Sequence, residues 1–193
     1  MTRKKKQPLP RYLTDGERVR LIDAVRAGGS LRDIALFEMV LQYGLRPSEV
    51  GLLTREAVDF DTGRLAVQRL KNGIDNELPL IDPAKTALRT YLESREDDRE
   101  ELIPGKRGPL GRKGFWELMQ SYGKTARLPT SKRHPHVLRH TAAVRALDAG
   151  LGIVDVQDML GHAVITSTQV YARISDKKRR ASFDQLEKAN GHS

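Results

Sequence analysis

Pro135-His136-Val137-Leu138-Arg139-His140-Thr141, then Leu160-Gly161-His162, then Tyr171 nine residues further on, is the stretch on which the reading of this chain turns. His136 and Arg139 are three apart, so on a helix their side chains share a face. Leu138, Ala142, Val144, Leu147 and Leu151 supply an apolar side to that segment. Gly161 is placed to end the next helix, which sets His162 just past a helix terminus. Singly, each of these is an ordinary feature: an Arg beside a His, a His after a turn, a tyrosine in a core or on a surface. In this order they supply a phenol, a guanidinium and two imidazoles, which is a nucleophile, a phosphate clamp and proton-transfer groups.

Working outward, the upstream half offers a second guanidinium on a stiff mount. Leu31 to Tyr43 carries Ile34, Leu36, Phe37, Val40 and Leu41 at helical spacing. Gly44 ends that helix, and Pro47 suits the first turn of the next, with Glu49 near its positive end. Arg46 precedes the proline and is biased away from helical backbone, so it is expected in a fixed bend between two packed helices. An earlier helix opens at the capping box Thr14-Asp15-Gly16-Glu17 and runs to about Arg26 before Gly28-Gly29. Val58-Asp59-Phe60, Leu65-Ala66-Val67 and Leu78-Pro79-Leu80 alternate around Asp61-Thr62-Gly63 and Asn72-Gly73, which predicts a three-stranded antiparallel sheet with Pro79 on an edge. Lys71 falls at or beside the second turn. The remainder is expected as helices over about 83–99, 112–126, 136–149, 153–160, 166–171 and 176–188. The fold class is α+β and mainly α-helical. Glu93 to Glu101 is expected as a solvated acidic face, Gly105 to Gly114 as a mobile basic loop, and Trp116 as a core residue.

The chain has 193 residues, with 34 Lys and Arg against 25 Asp and Glu, a formal charge of +9. That excess favours a polyanionic partner, most simply nucleic acid. The absence of cysteine excludes disulfides, thiol chemistry and Cys-based zinc sites. No apolar run approaches the roughly 20 residues of a membrane span. Met1-Thr2-Arg3-Lys4-Lys5-Lys6 is basic with no apolar segment behind it, so it is not a secretory signal. It reads as a disordered basic arm over 1–11, either touching phosphates or keeping the chain soluble. Cytoplasmic, nucleoid-associated localisation is expected.

Tyr43-Gly44-Leu45-Arg46-Pro47-Ser48-Glu49, Lys71 ahead of Leu78-Pro79-Leu80, the His136–Thr141 stretch, Leu160-Gly161-His162 and Tyr171 together resemble the tyrosine recombinase (phage integrase) family. The likeness spans about 12–175, the expected catalytic domain, with 176–193 as a C-terminal helix or tail that docks on a neighbouring protomer. The resemblance implies a site-specific recombinase that cuts and rejoins DNA through a 3′-phosphotyrosyl intermediate, without metal, ATP or other cofactor. Tyr171 would attack phosphorus, Arg46 and Arg139 would hold its non-bridging oxygens, and Lys71 would protonate the leaving 5′-oxygen. His136 would accept a proton or position the tyrosine, His162 would donate to a phosphate oxygen, and Glu49 would orient the arginine or His136. Expected DNA contacts are Arg3, Lys4, Lys5, Lys6, Lys132, Arg133, Lys177 and Lys178. The partners implied are duplex DNA with a recombination site, further copies forming a tetramer on two duplexes, and accessory DNA-bending proteins.

The chain departs from the family's usual plan in having only a short segment before the first helix, where typical members carry a DNA-clamping helical domain. It is expected to be either an excised catalytic domain or one of the minimal members that lack the clamp. Two other functions stay open at this level: a type IB topoisomerase, and a basic DNA-binding protein without catalysis. A metal cluster of His134, His136 and His140 is disfavoured, since no Glu lies between the pair and Arg139 crowds a cation.

Overall fold

A computed structural model describes residues 10–69, 75–161, 183 and 187. The described chain runs α1 (Asp15–Ala27), α2 (Leu31–Tyr43), α3 (Pro47–Val50), β1 (Val58–Asp59), β2 (Arg64–Val67), β3 (Asn76–Pro79), α4 (Ala84–Glu93), α5 (Arg112–Thr125), α6 (Pro135–Asp148) and α7 (Ile153–Leu160). It is mainly helical with one small antiparallel sheet, as the sequence pattern predicts.

The centre is α2. Nine of its 13 residues are buried, so it lacks a solvent stripe and is wrapped by neighbours. Those neighbours are α1, α4 and α6. Leu36, Phe37 and Met39 are fully enclosed, each side chain contributing about 1.5–3 kcal/mol of burial energy. Ser30 caps the start of α2 by accepting from the Asp33 N–H at 3.3 Å, and Gly44 ends it in the left-handed region at φ 64°. The capping box of α1 forms as read, with Thr14 accepting from Glu17 N–H and Glu17 accepting from Thr14 N–H.

The sheet has the order β1-β2-β3, with Val58 opposite Leu65 and Leu65 opposite Leu78. Pro79, which has no N–H to give, stands in the edge strand β3. Tyr43 ties this edge to α2: its hydroxyl donates to Pro79 O at 3.0 Å and accepts from Ile81 N–H at 3.1 Å. On the other side, Leu13 N–H donates to Thr141 Oγ1 at 2.9 Å, which fastens the chain ahead of α1 onto α6.

Three expectations are overturned. Trp116 is not core; it is 50% exposed. Phe115 takes the inward position on α5, edge-on to Phe37 at 5.8 Å, and the next residue is turned about 100° away. The helix expected over 83–99 ends at Glu93, because no apolar residue follows Leu92 until Leu102 to hold a further turn to the core. The acidic run beyond it is solvent-exposed as expected, with Glu93, Glu96, Asp97, Asp98 and Glu100 all exposed, and it is also tied to the fold by arginines. Asp97 accepts from Arg95, Arg55 and the Arg99 N–H, while Arg95 also donates to Glu101 O at 2.7 Å. The loop expected over 105–114 is shorter than read, since α5 begins at Arg112 and the turn is closed by Gly105 N–H on Gly108 O at 2.8 Å. Among the described residues no helix is long and apolar enough to cross a membrane.

Candidate active site

The bend at Arg46 is built by its neighbours. Gly44 must be small as well as left-handed, because a Cβ there would meet Leu160 Cδ2 at 2.6 Å. Arg46 is extended (φ −72°, ψ 150°) and Pro47 starts α3 behind it. Glu49, fully buried, closes the bend on itself: it accepts from Arg46 N–H at 2.7 Å and from Arg46 Nη1 at 2.5 Å.

Arg139 reaches the same place from α6. Its Nη1 donates to Gly44 O at 2.5 Å and its Nη2 to Leu160 O at 2.9 Å, and Nη1 lies 3.8 Å from Glu49 Oε2. Three segments distant in sequence therefore converge, and Arg46 and Arg139 are brought beside one carboxylate, that of Glu49. Burial alone pushes the Glu49 carboxyl up. The Arg46 N–H and the charges of Arg69, Arg46 and Arg139 together outweigh it, and the pKa lies below the ordinary value.

The reading of the sequence missed Arg69. Its side chain is wholly buried and donates to Glu49 Oε2 at 2.9 Å through Nη1, to Met159 O at 2.6 Å through Nη2, and to Asn76 Oδ1. The signal was present: Leu65 and Val67 are the buried positions of β2, and the same alternation carried two residues past its end makes Arg69 buried as well. Three guanidinium groups on one carboxylate leave two positive charges in excess beside each other, a setting suited to a phosphodiester whose charge grows during attack.

His136 opens α6 and is exposed, one turn before Arg139. Partial loss of solvent, then the charges of Arg139, His134, Arg46 and Arg112, hold its pKa below the ordinary value. It is thus neutral near pH 7 and able to accept a proton. His140, half-buried, is pushed down to about 4 by burial first and then by His136, Arg139 and His134. Among the described residues no His, Asp and Glu set gathers as a metal site.

The lowered His140 pKa sets a stability window. Below about pH 6.5 the unfolded chain binds a proton that the folded chain refuses until about pH 4, so stability falls as pH drops through that interval. At about pH 5 the loss from this residue is about 1–2 kcal/mol. Urea unfolding at about pH 7.5 and about pH 5 is expected to show a larger loss for the wild type than for His140→Gln. Equal losses would mean that His140 takes up its proton in the folded chain.

Of the expected DNA contacts, Lys132 Nζ is paired with Glu17 Oε2 at 2.6 Å, and Arg133 Nε donates to Leu128 O at 2.8 Å. Both thus carry an internal contact that holds the segment before α6. Lys71, His162, Tyr171, Arg3, Lys4, Lys5, Lys6, Lys177 and Lys178 lie outside the described residues.

A model of the phage integrase family matches residues 11–178. The chain is 33% identical over 186 residues to the tyrosine recombinase XerA of Pyrococcus furiosus, covering 94% of this chain and 63% of that protein. It is 34% identical over 184 residues to the tyrosine recombinase XerD of Bifidobacterium longum, covering 86% and 59%. The chain thus spans less than two thirds of the length of these relatives. Among solved structures it is similar to a XerA recombinase, with a TM-score of 0.78 and 29% identity over 96% of this chain and 66% of that one. A lambda integrase dimer bound to a COC′ core site shares the fold at TM-score 0.70 and 21% identity, over 90% and 50%.

Proposed function

Because the chain belongs to the phage integrase family, we propose that it is a site-specific DNA recombinase that breaks and rejoins a strand through a 3′-phosphotyrosyl bond. The observation that carries this reading is the convergence of Arg46 and Arg139 on the buried Glu49. A planar, permanently charged guanidinium binds two oxygens at once, and two of them neutralise a phosphate without a metal. Arg46 keeps about a third of its side chain exposed toward a ligand, and Glu49 fixes its direction.

In this mechanism the Tyr171 phenol gives its proton to His136 and forms a bond to phosphorus. The bond to the 5′-oxygen breaks, and that oxygen takes a proton from Lys71. Arg46 and Arg139, with His162, hold the non-bridging oxygens. The covalent bond conserves the phosphodiester energy, so the reverse attack by a 5′-hydroxyl rejoins DNA without ATP.

The tail over 176–193 completes the proposal as a docking segment between copies. An apolar groove of about 410 Å³ lies between α2, β3, α6 and α7, lined in part by Leu41, Tyr43, Leu78, Ile81, Leu151 and Met159. Phe183 in the tail is helical and 63% exposed, a matching apolar side chain. Several copies on DNA, rather than one, follow from this pairing.

The experiment is covalent trapping on nicked duplexes from the genomic neighbourhood of the coding region, beside a random-sequence library. A denaturant-stable protein–DNA band, joined to the 3′ side of the break, is the expected result. Binding without such a band would make the chain a DNA-binding module only. Sedimentation of the same complexes reads the assembly, and one copy per duplex would remove the docking role of the tail.

A further inference from the structure

We propose that Arg69 is a positioning residue for strand cleavage, a buried guanidinium that joins the base of the β2–β3 hairpin to the end of α7 and to the phosphate clamp. The inference deepens the recombinase reading above and rests on it, including its assignment of Lys71 as proton donor.

The last carbonyls of a helix have no partner within it, and they carry the negative end of its dipole. In α7 three successive ones accept from three different elements. Asp158 O accepts from Asn76 Nδ2 at 2.5 Å, Met159 O from Arg69 Nη2 at 2.6 Å, and Leu160 O from Arg139 Nη2 at 2.9 Å. Arg69 also binds Glu49 Oε2 at 2.9 Å. Across the hairpin base its own N–H donates to Asp75 Oδ1 at 2.6 Å, and its Nε and Nη2 share Asn76 Oδ1 at 3.3 and 3.2 Å.

Arg69 therefore grips both ends of the hairpin: itself two residues before Lys71, and Asp75 and Asn76 shortly after it. It grips the end of α7 just ahead of His162, and the carboxylate that orients Arg46. The fit is close on every side. A Cβ at Gly161 would stand 2.5 Å from Arg69 Nε, so the left-handed glycine before His162 is also what lets the guanidinium lie under the turn. With no exposed side-chain surface, Arg69 does not touch DNA. It acts through the groups it holds. Its planar fork spans three acceptors lying in different directions, which a lysine ammonium does not.

The test follows from where the proton goes. As the Tyr171 oxygen bonds to phosphorus, the electron pair of the breaking bond leaves on O5′, and Lys71 protonates it. With sulfur in place of O5′, the leaving thiolate has a conjugate acid of pKa about 8.5 and needs no proton donor. Adduct formation by the full chain is measured on a nicked duplex carrying a site recovered by covalent trapping, with oxygen or sulfur at that bridge. Arg69→Met is expected to bind DNA as the wild type does and to cleave the oxygen duplex about 10- to 100-fold more slowly. The sulfur duplex is expected to restore most of that loss, as it does for Lys71→Ala. Asn76→Ala, which leaves the Arg69–Glu49 pair in place, is expected to show the same pattern in smaller degree, and it serves if Arg69→Met does not fold. If sulfur rescues Lys71→Ala but neither Arg69→Met nor Asn76→Ala, the positioning role is overturned and Arg69 belongs to the fold. If sulfur does not rescue Lys71→Ala, it is the assignment of Lys71 as proton donor that falls, and this role of Arg69 falls with it.

Discussion

Tyr171→Phe is expected to bind DNA as the wild type does and to form no covalent adduct at all. The substitution removes one oxygen and leaves the ring, so packing and charge are kept while the nucleophile is lost. No other tyrosine is placed to substitute. Of the four that remain, Tyr43 is buried with its hydroxyl on Pro79 O, and Tyr91 is buried on α4 with its pKa raised, burial being the main cause. Tyr122 donates to Asp33 at 2.7 Å and is pushed up to about 12, by burial first and then by that carboxylate. Tyr12 packs against the small cluster between α6 and α7. Denaturing gels of labelled duplex read the adduct, and native gels read binding. An adduct that persists in the variant would move the nucleophile to another residue.

Arg139→Ala is expected to cost two things at once. Cleavage falls by about 10²–10³, the loss usual when one preorganised donor is removed from a developing anion. Stability falls as well, because Gly44 O and Leu160 O each lose a buried donor, at about 1–3 kcal/mol for each orphaned group. Glu49 is not stranded, since Arg46 and Arg69 still hold it. Salt separates catalysis from binding. At low salt DNA affinity is restored by the remaining cations, so a cleavage rate that recovers with it would make Arg139 a binding residue only. A rate that stays low on saturated DNA supports a clamp on the reacting phosphate. Arg139→Lys keeps the charge but not the fork, and is expected to stay far below the wild type. Urea unfolding of both variants reports the structural share of the loss.

The limits of the sequence as a guide show at particular residues. The bend at Arg46, the left-handed glycines 44 and 161 and the helical face shared by His136 and Arg139 were all legible, because each rests on contacts within a few residues. Trp116 was misread because helical periodicity places one of two adjacent aromatics inward without naming which; the packing of Phe115 on Phe37 decided it. The exposure of the acidic run after Glu93 was legible, but its arginine partners were not, because acidic density says nothing of where arginines fold back. Arg55, 42 residues before Asp97 in the chain, supplies part of its shell.

Arg69 is the clearest case. Strand alternation pointed it inward, yet a buried arginine is acceptable only where partners meet it, and those partners are Glu49, 20 residues before, and Met159, 90 residues after. Local order along the chain determined the helices, the hairpin and the chemical types available to the site. The tertiary structure alone decided which charges share one carboxylate, because convergence of distant segments is a property of the packed core that no spacing in the sequence encodes.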